Sequence, residues 1–182
     1  MSDPSTAAAT AHRYQHLPYF SHALEILLHS VLDDEVDHPA GPANPPLSTV
    51  ITFLSSFPDY LDIIVQCTRK TEMRSWRTLF THLPPPQELF ELCIEQQMLK
   101  TAGGYLLILQ TLGDPHTSFE PCIRLLQQAR AAHEWDLCKE LARFLMALDD
   151  SGNALREALE MSHVSVPSTT GGTTDPQQIP EP

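Results

Sequence analysis

Glu88–Leu112 reads ELFELCIEQQMLKTAGGYLLILQTL and Arg124–Leu148 reads RLLQQARAAHEWDLCKELARFLMAL. Laid over each other at a shift of 36 residues, they match apolar with apolar. Leu89 meets Leu125, Phe90 meets Leu126, Cys93 meets Ala129 and Leu99 meets Trp135; Ala102 meets Cys138, Tyr105 meets Leu141, Ile108 meets Phe144, Leu109 meets Leu145 and Leu112 meets Leu148. Each copy holds two helical patterns parted by a short break, near Gln96–Lys100 and Ala132–Trp135. A two-helix unit with a period in the thirties predicts an α-solenoid, in which each hairpin buries its apolar face against the next. Gly103-Gly104 interrupts one of these helices, and each glycine lowers helix propensity by about 1 kcal/mol relative to Ala. The pair points to close internal packing or a small kink, with close approach to a partner as the alternative.

Upstream, Leu17, Phe20, Leu24, Leu27, Leu28 and Val31 recur at three and four residues and predict one helical stripe. Pro18 fits the first turn of that helix, where a missing N–H has no consequence. Asp33-Asp34-Glu35 falls at its C-terminal end, where the helix dipole disfavours acid, and fraying is expected there. His38–Pro46 is a proline-rich loop. A helix follows with Leu47, Val50, Ile51 and Leu54, broken at Phe57-Pro58. The next starts near Asp59 with Leu61, Ile64, Val65 and Thr68 inward. Another covers Thr71–Leu83 with Met73, Trp76, Leu79, Phe80 and Leu83 on one face, stopped by Pro84-Pro85-Pro86. Asp114-Pro115 ends the first hairpin of the repeat, and Ser118 is placed to cap the helix that follows. A short, weak helix is expected over Ala154–Met161. No alternation of period two persists, so the class is all-α: a helical domain over residues 17–161 between disordered tails at 1–16 and 162–182, the latter rich in Ser, Thr, Gly, Pro and Gln.

The formal net charge of −12 leaves no broad basic field for a phosphate backbone and argues against nucleic-acid binding. Cys67, Cys93, Cys122 and Cys138 form no CxxC pair and lie within apolar helical patterns, which reads as buried free thiols in a reducing compartment. No apolar leader opens the chain and no run reaches the ~18 apolar residues of a membrane span. A cytosolic protein that meets membranes through its partners is expected.

Three groups of residues are candidates for chemistry or recognition. His22, Glu25 and His29 share a helical face and match the donor set of some metal sites, but one helix does not close a coordination sphere; an i, i+4 pair of Glu25 with His29 is the simpler reading. Arg69, Lys70, Arg74 and Arg77 hold four of the eleven positive charges, with Lys70, Arg74 and Arg77 at helical spacing. Such a stripe would steer an acidic partner or touch anionic lipid, or it is simply a solvated face. Trp76 and Trp135 are read as core anchors. No nucleophile elbow, glycine-rich phosphate loop or kinase motif occurs, and no cofactor is implied.

Leu17-Pro18-Tyr19-Phe20-Ser21-His22-Ala23-Leu24-Glu25, with Leu28-His29 and Val31-Leu32 after it, resembles the opening of the helical domain of the ribosome control protein family. The likeness continues through Phe53-Leu54, Phe57-Pro58, Arg69-Lys70-Thr71-Glu72, Trp76 and Leu79-Phe80, and closes with Trp135-Asp136-Leu137-Cys138, Glu140-Leu141 and Arg143-Phe144-Leu145. Full-length members carry N-terminal β-propellers and a helical C-terminal arch. With an arrestin-like second subunit they form a guanine-nucleotide exchange complex for a Rab GTPase at the Golgi, in endosome-to-Golgi retrograde transport. The resemblance implies that this chain, which has no propeller pattern, is a non-catalytic scaffold segment: a fragment, a split product or a truncated paralogue. It further implies an arrestin-like partner, a Rab GTPase, and a cytosolic location peripheral to the Golgi membrane. A free-standing helical adaptor is the alternative; a small helical metalloprotein using His22, Glu25 and His29 is the third reading.

Overall fold

A computed structural model describes residues 4–38, 46–113, 119–149, 151–153, 155–156 and 160. Among them are nine α-helices and no strand. They are α1 (Pro4–Ala11), followed by a 3-10 turn (His12–Tyr14), α2 (Phe20–Asp37), α3 (Pro46–Leu54), α4 (Tyr60–Arg69), α5 (Met73–Phe80), α6 (Pro86–Glu95), α7 (Leu99–Leu112), α8 (Glu120–Ala131) and α9 (Trp135–Leu148). One core runs through the stack from Leu24 to Leu145.

The repeat is present in the backbone. α7 and α9 begin and end at positions offset by 36 residues. The turn before each contains a non-glycine residue in the left-handed region, Gln97 at φ 58° and His133 at φ 60°. The hydrogen bonds repeat as well. Met98 N–H donates to Cys93 O at 2.9 Å and Gln97 N–H to Ile94 O at 3.1 Å; Glu134 N–H donates to Ala129 O at 2.8 Å and His133 N–H to Arg130 O at 3.1 Å. These are two copies of the 6→1 and 5→2 helix stop, which satisfies the last carbonyls and turns the chain back on itself. Two positions of the repeat diverge in environment. Leu99 is buried, but its counterpart Trp135 is 54% exposed and lies tilted against the His133 ring, centroids 5.6 Å apart. The expected core anchor is therefore a surface residue, because no described element covers that end of the outer hairpin. Trp76 does fill the core, and its indole N–H donates to Thr68 O at 2.8 Å.

The first half joins the repeat where α4 crosses α7. Gly104 lies so close to α4 that a Cβ added to it would stand 2.3 Å from Val65 Cγ1. On either side, the buried Tyr105 hydroxyl donates to Leu61 O at 3.1 Å and the Thr101 hydroxyl donates to Asp62 at 3.2 Å. The glycine pair thus serves close internal packing. Gly103 is looser: a Cβ there would lie 3.4 Å from Leu137 on α9, at ordinary contact distance.

The α2 stripe is shifted from the expected one. Leu24, Leu28 and Leu32 are buried with Glu25 and Glu35, while Leu17 and Leu27 are exposed. Leu17 lies outside the helix: Phe20 N–H donates to Leu17 O at 3.0 Å, closing a turn with Pro18 at its second position, where the fixed φ suits it. Leu27 sits off the line of 24, 28, 32 and 35. In place of fraying, α2 continues to Asp37. Its acids have partners: His29 Nδ1 is 2.9 Å from Asp33, His38 Nδ1 is 3.5 Å from Asp34, and Arg74 donates to Asp37 at 3.0 Å. Met73, expected inward on α5, is exposed. Within the expected N-terminal tail, residues 4–14 are helical. Ala11 packs on the core, and the His12 ring lies 4.6 Å from that of Phe57, which Phe20 and Phe53 approach edge-on. The loop centred on residues 39–45, the Asp114–Ser118 turn, most of the 154–161 helix and the 162–182 tail lie outside the described residues.

The two glycines give a paired test. Alanine gains about 1 kcal/mol of helix propensity at either position. At Gly104 it also meets the stiff, buried Val65, and overpacking of this kind costs about 1–3 kcal/mol. Gly103→Ala is expected to hold or raise the thermal midpoint and Gly104→Ala to lower it, both measured by circular dichroism on the full chain.

Candidate protein-interaction surface

The structure separates the residues that the sequence suggests as a metal set. Glu25, 8% exposed, accepts a hydrogen bond from Lys70 Nζ at 2.6 Å, and His22 Nδ1 is 3.3 Å away. His29 turns to Asp33, not to Glu25. Among the described residues no three His, Cys, Asp or Glu side chains gather as a metal site would require.

The basic four do not form one stripe. Lys70 ends α4, and Arg74 and Arg77 belong to α5, with a turn between them. Lys70 and Arg74 are tied to α2 through Glu25 and Asp37. Arg77 remains exposed. Arg69 faces another way, into a groove between α4, α7 and α9 with a cavity volume near 410 Å³. Gly103, Gly104 and Leu107 of α7 and Leu137, Leu141 and Phe144 of α9 line its apolar part. Lys100 stands with Arg69 at the rim; Asp136 and Glu140 stand on α9. The sequence reading missed this groove, although its signal is in the repeat. Lys100, Gly103, Gly104 and Leu107 fall on one α7 stripe, and the 36-residue shift sets Lys100 over Asp136 and Gly104 over Glu140. Where the second hairpin has long side chains, the glycines of the first have none.

The thiols are chemically quiet. Burial pushes Cys67, Cys93 and Cys122 up to about 12, so at neutral pH they are protonated and poor nucleophiles. Cys138 is half-buried and also raised, by burial first. Among the described residues no helix is long and apolar enough to cross a membrane.

Comparison with known proteins adds an independent line. The family described as the RIC1 C-terminal alpha solenoid region matches residues 2–164. The guanine nucleotide exchange factor subunit RIC1 of Mus musculus is 38% identical over 156 residues, 86% of this chain and 11% of the relative. The Homo sapiens RIC1 subunit gives the same identity and coverage. A guanine nucleotide exchange factor subunit of Caenorhabditis elegans is 36% identical over 132 residues, 72% of this chain and 9% of the relative. The chain spans about a tenth of the length of these curated relatives. No solved structure matches it significantly.

The ion pairs on α2 generate two tests. Burial works to raise the Glu25 carboxyl, but hydrogen bonds from Lys70 and His22 outweigh it and hold the group below the ordinary glutamate range. Glu25 therefore stabilises the fold above its unfolded pKa of about 4.3, and that contribution is lost as pH falls through the depressed folded value. Glu25→Gln is expected to flatten the acid limb of the stability–pH profile, measured by urea unfolding between neutral and acid pH. Lys70→Met removes the closest partner of a mostly buried carboxylate and is expected to cost about 1–3 kcal/mol, whereas Arg77→Met leaves the unfolding free energy within about 0.5 kcal/mol of the parent.

Proposed function

This chain belongs to the RIC1 C-terminal alpha solenoid family, and from that membership we propose that it is a scaffold segment of a guanine-nucleotide exchange factor for a Golgi Rab GTPase. The match of residues 2–164 to the family carries the reading. Its partners on this reading are an arrestin-like second subunit and the GTPase, and its setting is endosome-to-Golgi retrograde transport at the cytosolic face of the Golgi membrane. Exchange proceeds by holding a GTPase in its nucleotide-free shape, which requires a complementary surface and not an acid–base pair. A stack of hairpins supplies extended surface of that kind. On this reading its role is regulatory and structural. Contact with the membrane runs through the partners.

Binding decides it. The full chain, immobilised, is expected to retain the arrestin-like subunit or the nucleotide-free Rab GTPase in a pull-down. Retention of neither would remove the exchange-complex reading and leave the free-standing adaptor. Arg69→Glu with Arg77→Glu is expected to weaken retention at least about tenfold at low salt while the thermal midpoint holds, because both side chains are exposed and neither makes an ion pair or hydrogen bond among the described residues.

A further inference from the structure

The groove between α4, α7 and α9 is open, apolar at its base and bounded by walls of opposite charge. Arg69 at the end of α4 and Lys100 in the first turn of α7 make the basic wall; Asp136 and Glu140, one turn apart on α9, make the acidic wall. Among the described residues Lys100 pairs with Glu134 at 3.5 Å and Asp136 with Lys139 at 3.0 Å, both at exposed positions. Arg69 and Glu140 have no ion-pair partner among the described residues. Leu107 is 48% exposed beside them. Exposed apolar surface flanked by charges that lack an ion-pair partner among the described residues, Arg69 on one wall and Glu140 on the other, is the signature of a seat for another chain.

We propose that this groove docks an amphipathic helix of a protein partner, its apolar ridge on Leu107 and Phe144, a carboxylate on one flank facing Arg69 and Lys100, and a basic group on the other facing Asp136 and Glu140. Charge complementarity selects that occupant. An acidic segment would be repelled by α9 and a basic one by the α4–α7 wall; a helix acidic on one flank and basic on the other satisfies both. An anionic membrane surface would satisfy only the basic wall. Gly103 and Gly104 line the groove with bare backbone at the positions where Lys139 and Glu140 stand in the next hairpin. An apolar ridge at i, i+3, i+4 and i+7 is the usual way a helix enters such a groove. This inference rests on the groove itself and does not depend on the exchange-factor reading.

Three labelled helical peptides test it, identical in a leucine ridge and differing in their flanks: Glu on one side and Lys on the other, Glu on both, or Lys on both. Fluorescence anisotropy with the full chain is expected to show the mixed peptide binding at least about tenfold tighter than either single-sign peptide. Arg69→Glu with Lys100→Glu should transfer the preference to the Lys-flanked peptide, and Asp136→Lys with Glu140→Lys to the Glu-flanked one. Leu107→Lys should weaken all three. The four charge changes are on the surface, so the thermal midpoint holds and the switch in preference reports the groove. Equal binding of the three peptides, or a preference unmoved by the charge changes, overturns the proposal. So does binding of none of them with capture of vesicles containing phosphatidylserine, lost in the Arg69→Glu, Lys100→Glu chain, which would make this a lipid surface.

Discussion

The fold depends on the approach of α4 to α7. The two helices cross where Gly104 meets Val65, closer than any side chain at Gly104 would allow. Backbones that near each other need their polar groups settled locally, and the flanking bonds from Tyr105 to Leu61 and from Thr101 to Asp62 do this. The crossing is what fuses α2–α5 to the repeated hairpins, so the core is continuous and not two cores side by side. Other ties hold the periphery. The Trp76 indole closes the end of α4, Lys70 reaches Glu25 on α2, and Arg124 makes a two-pronged pair with Glu91 between α8 and α6. They orient helices, but each bridges only its own neighbours.

Much of this is legible in the amino acids, because the repeat is written as apolar spacing and spacing survives folding. The hairpin boundaries follow the 36-residue shift, and Leu47, Ile51, Leu54, Leu61, Ile64, Val65 and Thr68 point inward as their spacing requires. The misses share one cause. Periodicity defines a stripe but not what lies over it. Trp135 has the spacing of Leu99 without the cover, Leu17 precedes its helix, and Met73 faces out. His12 and its neighbours have no strong period, and their order comes from aromatic contacts with Phe57 that lie far away in sequence. The basic cluster misleads because its helical spacing runs across a turn; Lys70 and Arg69 are adjacent in the chain and serve opposite sides of the stack. The groove is hidden for a related reason. A pair of glycines marks close approach, and only the placement of α9 shows the hollow left beside it.

The resulting surface has a division of labour. The α2–α5 side is stitched by ion pairs and His–acid contacts, while the α7–α9 side keeps charged groups that face open space. A solenoid needs both kinds: seams that hold one layer to the next, and faces open to whatever packs beside them. The buried thiols are protonated, and His22, His29 and His38 lie against carboxylates.

The left-handed residues between the paired helices carry a mechanical consequence. Gln97 and His133 each hold a chain reversal in a conformation that asparagine or glycine would adopt with less strain. Each reversal is thus a fixed joint, held by its two stop bonds and by the packing of the helices on either side of it. A β-branched residue at either joint would resist that backbone conformation and loosen the angle between the two helices it connects.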